Sequence, residues 1–275
     1  MVNIVSDSST LYSVSEANKI GLTVVPLSVH INNKSYIEFE EISSKEFVDI
    51  INEGHLPTSS QPSIGEKELA YRKLEGDILD LSLADGLSGT YQSALMASKM
   101  VEGKRIEVIN TKTLCGPHRY IINKALALAM QNKSIDEIIN EIMPSIENGS
   151  SFLIPSDFSY LKRGGRLSPL AATLGGLMKI VPILEISEDG KQINKFGIKK
   201  TYKKAILEIA NTMKERKVDD TYFISISHAS NIEDAMYAKE ILETSLNTEV
   251  QIYDLSPVFI THGGPGCVAI QYCKK

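Results

Sequence analysis

The sequence predicts an α/β protein: an N-terminal domain built on a parallel sheet, followed by a smaller α+β domain with a mixed or antiparallel sheet. Three observations carry this prediction. Strand-like β-branched runs alternate repeatedly with helical periodicities in the first half, the pattern of βα units laid side by side. Near Gly149 the texture changes to shorter strands and irregular glycine-rich turns. The chain has 275 residues, more than one core usually supports, so two domains are expected, over residues 1–150 and 151–275.

Residues 2–5 and 22–31 are rich in β-branched side chains and read as two strands joined by a polar turn at Asp7-Ser8-Ser9. Ser43 and Ser44 precede residues 45–53, where Phe47, Ile50 and Ile51 recur at helical spacing and Gly54 follows, giving a capped amphipathic helix. A hydroxyl-rich loop, Pro57-Thr58-Ser59-Ser60-Gln61-Pro62-Ser63, leads to a helix over 65–75. A buried strand over 77–84 carries Ile78, Leu79, Leu81 and Leu83. The turn Leu87-Ser88-Gly89-Thr90 then lies at the carboxyl end of that strand and opens a helix over 90–100, so its N–H groups face whatever sits above the sheet edge. A strand over 105–109 and helices over 117–130 and 134–146 follow, the last capped by Ser134 with Asp136 and Glu137 in its first turn.

In the second half the pattern gives a strand over 152–155, a glycine-rich turn at 163–166 and two short strands within 182–196. Helices over 202–214 and 232–246 alternate with strands over 222–227, 250–255 and 268–272.

Composition narrows the function. With 29 Lys+Arg against 34 Asp+Glu the net charge is −5, and the basic residues are scattered, which argues against nucleic acid and anionic membrane as partners. The start reads as a strand running into a polar turn rather than as a signal peptide, so a cytoplasmic location is expected. The apolar stretch 170–186 contains Lys179 and Glu185 and falls short of the ~18 apolar residues of a membrane span. Three cysteines, Cys115, Cys267 and Cys273, form no disulfide framework. Cys115-Gly116-Pro117-His118 offers at most half of a metal site, so no metal is expected.

The chemistry-bearing motifs are loops of hydroxyls. Prolines flanking Thr58, Ser59, Ser60 and Ser63 keep these oxygens out of a helical ladder and available to an anion, or to cap a helix. Without neighbouring Lys or Arg, such a loop suits a carboxylate or carbonyl better than a polyphosphate. Gly86-Leu87-Ser88-Gly89-Thr90 nearly spells the G-x-S-x-G elbow but closes on Thr90; a serine hydrolase acting through Ser88, with His228 or His262 as base, is the alternative enzyme reading. Gly264-Pro265-Gly266-Cys267-Val268-Ala269 matches G-x-G-x-x-A by letter only, because no helix follows it, and no G-x-x-x-x-G-K-[ST] occurs. Lys162, Arg163 and Arg166 surround Gly164-Gly165, as a solvated basic turn, an anion guard or a docking patch. His262 precedes Gly263-Gly264-Pro265-Gly266 and reads as lying off any regular element, equally suited to a structural or a ligand role.

Taken in order, Asp7-Ser8-Ser9, Thr58-Ser59-Ser60-Gln61-Pro62-Ser63, Leu87-Ser88-Gly89-Thr90-Tyr91-Gln92-Ser93-Ala94, Tyr160-Leu161-Lys162-Arg163-Gly164-Gly165-Arg166 and His262-Gly263-Gly264-Pro265-Gly266 resemble the DegV family across essentially the whole chain. The resemblance implies a bacterial two-domain protein, not itself an enzyme and without a cofactor, that holds a long-chain fatty acid between its domains. In some members it presents the carboxylate to a separate ATP-binding fatty acid kinase. It further implies that Ser59, where the family has threonine, and Ser88 hold the carboxylate, with Ser60 as the neighbouring candidate and His262 and Arg166 brought to the same end. Apolar residues over 167–183 suit a tunnel lining, and core packing explains them equally well. The run Phe196-Gly197-Ile198-Lys199-Lys200 carries less arginine than the family pattern.

Overall fold

A computed structural model describes residues 1–174 and 180–275. In chain order the elements of the first half are β1 (Asn3–Asp7), α1 (Val14–Lys19), β2 (Leu22–Val25), β3 (Ser28–Ile31), β4 (Lys34–Ile37), α2 (Ser44–Asn52), β5 (Thr58–Ser60), α3 (Ile64–Lys73), β6 (Ile78–Ser82), α4 (Thr90–Ser98), β7 (Ile106–Asn110), α5 (Cys115–Met130) and α6 (Ile135–Glu147). Four of these strands form a wholly parallel sheet, order β2-β1-β6-β7. Alternation along the strands divides its side chains between two helical layers. Ile4, Leu79 and Leu81 pack on α5 and α6, while Val5 and Ile78 pack on Tyr71 of α3 and Ala97 of α4. The expected α/β sandwich is therefore what forms.

Below the second layer lies a charge that the pattern does not advertise. Lys67 of α3 and Asp80 of β6 are both fully buried and 2.7 Å apart. The other hydrogen bonds to Asp80 come from the Tyr71 and Ser82 hydroxyls, each at 2.7 Å, and Lys67 also reaches the Ser6 carbonyl at 3.3 Å.

The second half comprises β8 (Gly149–Ile154), α7 (Phe158–Gly164), β9 (Val181–Ile186), β10 (Ile193–Lys199), α8 (Tyr202–Glu215), β11 (Tyr222–His228), α9 (Ile232–Leu246), β12 (Val250–Asp254), α10 (Pro257–Gly263) and β13 (Val268–Lys274). Its six-stranded sheet runs β10-β9-β8-β13-β11-β12, antiparallel except for β11 and β12, which α9 joins as a βαβ unit. One face packs Phe152, Ile226 and Ile270 against α8 and α9. The other carries Ser151, Leu153, Ala269 and Gln271.

Several expectations need correction. The strand read over 22–31 is two strands in two sheets. Pro26, which lacks an N–H, interrupts the ladder, and β3 leaves to form a three-stranded antiparallel sheet, β4-β3-β5. The hydroxyl loop is strand in its middle, since Thr58, Ser59 and Ser60 pair with β3. Three short helices, α1, α7 and α10, escaped the reading. α1 is announced by the capping box Ser13 to Glu16, and α10 by Ser256 followed by Pro257 at its first position. His262 consequently sits in the last turn of a helix, not off a regular element. The turn read at 163–166 is the end of α7, closed by Gly165 at φ 70°.

Candidate carboxylate site between the two halves

Strand alternation separates the candidate serines. Along β5, Ser59 points to one side and Thr58 and Ser60 to the other. The Ser60 hydroxyl faces outward and pairs with His30 Nε2 at 2.7 Å, which in turn pairs through Nδ1 with Ser35 at 2.8 Å. Ser59 faces inward, its Oγ 2.8 Å from His262 Nε2. Ser60 contributes to the cavity wall, but its hydroxyl is committed elsewhere.

Ser88 lies in the turn before α4, with its Oγ 2.8 Å from Thr90 Oγ1. The glycines around it are there for space. A Cβ on Gly86 would overlap the Lys191 backbone of the β9–β10 hairpin, and one on Gly89 would overlap the Gln61 side chain, which donates to Ser93 at 2.7 Å. The near-match to a nucleophile elbow is thus a packing pattern, and the histidine closest to the serines is bonded to Ser59, not to Ser88.

Arg166 extends from the end of α7 back across to the same turn. Its Nε donates to the Leu87 carbonyl at 3.1 Å and its Nη1 to the Gly164 carbonyl. Among the described residues it has no carboxylate partner, and its half-burial lowers its pKa. Burial, and secondarily the Arg166 charge, push His262 down to about 4, so the imidazole is neutral. Its Nδ1 is buried, without a partner among the described residues, and a Cβ on Gly164 would lie 2.8 Å from it.

Ser59, Ser88, Arg166 and His262 line one cavity of about 380 Å³. Leu27, Leu83, Leu153, Ile186, Leu255 and Phe259 are among the apolar residues that make up much of its wall. Two hydroxyls, a neutral imidazole and an unpaired guanidinium against an apolar chamber can bind a carboxylate whose remainder is hydrocarbon. None of residues 167–173 and 180–183 lines the cavity; residues 175–179 lie outside the described residues.

The match to known proteins follows the same outline. A family model described as "Uncharacterised protein, DegV family" matches residues 1–275. The chain belongs to the DegV family. A DegV domain-containing protein of Listeria innocua is 31% identical over 286 residues, covering 100% of this chain and 99% of its own. Among solved structures, a fatty acid binding DegV family protein from Streptococcus agalactiae superposes with TM-score 0.91 at 28% identity, covering 100% of this chain and 99% of its own. DegV, a fatty acid binding protein from Bacillus subtilis, does so with TM-score 0.88 at 28% identity and the same coverage.

Around this DegV cavity the remaining motifs act as scaffold. Asp7 accepts from the Ser9 and Leu83 N–H groups at 2.9 and 3.0 Å, tying β1 to the end of β6. His118, the histidine of Cys115-Gly116-Pro117-His118, is fully buried and bonds Ser9 Oγ at 2.7 Å and the Leu81 carbonyl at 3.0 Å. His228 accepts from Asn231 N–H at 3.2 Å at the end of β11 and stays outside the cavity. Lys162 and Arg163 are exposed on α7, Arg163 stacked over Tyr160 at 4.5 Å. Among the described residues no three His, Cys, Asp or Glu side chains could together hold a metal, and no helix is long and apolar enough to cross a membrane.

Glu38 is the residue the sequence concealed. Fully buried, it accepts from Ser8 Oγ and, across the two halves, from the Val258 N–H of α10 at 3.0 Å. It thereby fixes the helix that carries His262. Burial raises Glu38 from 4.5 to about 7, so between these values the folded state holds the extra proton and stability falls as pH rises. His262 is lowered from 6.5 to about 4, so there the unfolded state holds the proton and stability is lost as pH falls. The two slopes oppose one another, each spanning roughly 3 kcal/mol. Glu38→Gln removes one of them. Urea unfolding of this variant should show stability rising from about pH 4 to 6.5, where wild type is flatter; parallel profiles would show that Glu38 does not titrate there.

Proposed function

We propose that this chain binds a long-chain fatty acid, with Ser59, Ser88, Arg166 and His262 at the carboxylate and the apolar cavity around the hydrocarbon. The observation that carries the proposal is the convergence of these four polar residues, from four separate segments, on one apolar cavity. Membership of the DegV family and likeness to solved fatty acid binding members support it. We take the chain as two domains divided near residue 150, the ligand lying between them, since the lining residues come from both sides of that point.

Hydrocarbon burial supplies most of the affinity. A C16 chain has ~14 methylenes at about 0.8 kcal/mol each, roughly 11 kcal/mol before the cost of association. The polar end fixes direction. In the finer reading, the protein presents that carboxylate to a separate ATP-using fatty acid kinase in the cytoplasm and supplies no phosphoryl-transfer groups itself.

Mass spectrometry of the denatured recombinant protein tests the binding, with about one fatty acid per chain expected. Protein that is empty and also fails to take up oleate or palmitate would sink the proposal. Ser88→Ala should weaken oleate binding roughly ten- to a hundredfold, the worth of a charge-assisted hydrogen bond, while the protein still takes up lipid at high concentration. For the kinase step, oleate-loaded protein plus ATP and a purified fatty acid kinase should yield acyl phosphate, trapped by hydroxylamine. Loaded protein plus ATP alone should yield none.

A further inference from the structure

Gln271 of β13 lines the cavity yet is only 1% exposed. Its amide has a fixed orientation, because Nε2 donates to the Leu114 carbonyl at 3.0 Å and to Ser151 Oγ at 2.9 Å. A carbonyl only accepts, so a flipped amide would set oxygen against oxygen. The amide oxygen Oε1 is left buried, without a partner among the described residues. Ser225, opposite Gln271 across the ladder, does not supply one, since its own Oγ is unpaired and lies against the Gly116 backbone. Ser151 also lines the cavity and accepts the Gln271 bond; among the described residues nothing accepts its own proton.

This polar pair is remote from the carboxylate end. Cys267 packs against Gly263, next to His262. Gln271 is four positions further along the chain, about 13 Å of extended strand.

An unpaired acceptor beside an unused hydroxyl proton complements a group that both donates and accepts. We propose that the cavity selects long-chain fatty acids bearing a hydroxyl on the distal part of the chain, recognised by Gln271 Oε1 and the Ser151 hydroxyl. This rests on the fatty-acid reading above. A plain chain would leave the acceptor unmet, and a site built to bond a hydroxyl discriminates against the ligand that lacks it.

The test is equilibrium competition on delipidated protein between oleate and ricinoleate, its mid-chain hydroxy derivative, with α-hydroxypalmitate against palmitate as the control near the head group. Wild type should prefer ricinoleate over oleate about tenfold and show no such preference in the control pair. Gln271→Leu should lose the preference for ricinoleate over oleate. Equal or weaker binding of ricinoleate by wild type overturns the inference, and so does a crystal structure of the ricinoleate complex with water, not the ligand hydroxyl, on Gln271 Oε1. If Gln271→Leu does not fold, the wild-type comparison still decides. If no acid binds at all, it is the fatty-acid reading that falls, and this inference with it.

Discussion

Ala269→Phe is expected to yield a folded protein that purifies without fatty acid. Ala269 lies on β13 on the face that lines the cavity, paired across the ladder with Leu153, another lining residue. A benzyl group there enters space that is open, so the overpacking cost that core insertions usually carry is small. It takes that space from the hydrocarbon. Displacing half of a C16 chain forfeits about 5 kcal/mol, several thousandfold in affinity. The comparison with Ser88→Ala is informative, because removing a hydroxyl should cost much less than blocking the chain. Lipid analysis of the two purified variants, with circular dichroism to show that each is folded, checks the order. Ala269→Phe protein carrying the wild-type amount of lipid would mean that the hydrocarbon lies elsewhere.

Lys67→Met should be the most destabilising single change outside the cavity, by about 3–5 kcal/mol. Met keeps the unbranched stem and is shorter by one atom, so the loss is mainly electrostatic. Asp80 keeps the Tyr71 and Ser82 hydroxyls but loses the cation paired with it, in a place closed to solvent. A melting temperature lower by roughly 6–15 °C is the expected reading. Adding Asp80→Leu should recover much of the loss, since a buried pair replaced whole is often neutral. A double variant less stable than the single would refute this account and place the cost in packing instead.

The parts of the fold legible in the sequence are those with local causes. The capping boxes at Ser43, Ser63 and Ser134 and the β-branched runs of the parallel sheet set their elements without help from distant residues. The misreadings have tertiary causes. The strand at β5 exists because β3 offers it a ladder after Pro26 has turned the chain into another sheet, and neither fact is local. Of the candidate site residues, Ser59 and Ser60 are chemically identical; only strand alternation gives one the inside and the other the outside. Glu38 left no trace because a single acid in a loop looks solvated until α10 folds over it. Apolar residues over 167–183 fitted core and cavity alike, because composition does not say which face of a segment meets a cavity.

The place of β13 has a consequence for how the protein is made. It follows every other strand of its sheet in the chain, yet lies between β8 and β11 in the middle of the ladder. Until it inserts, two strands present open edges, the arrangement most prone to pairing with a neighbouring chain. Without β13 the second half holds two separate pieces, β10-β9-β8 and β11-β12, and joining them is a late event spanning distant parts of the sequence, which favours slow folding. Because the same strand carries Ala269 and Gln271, the cavity comes into being in that step. Fatty acid added during refolding should trap its product and raise the yield of native protein.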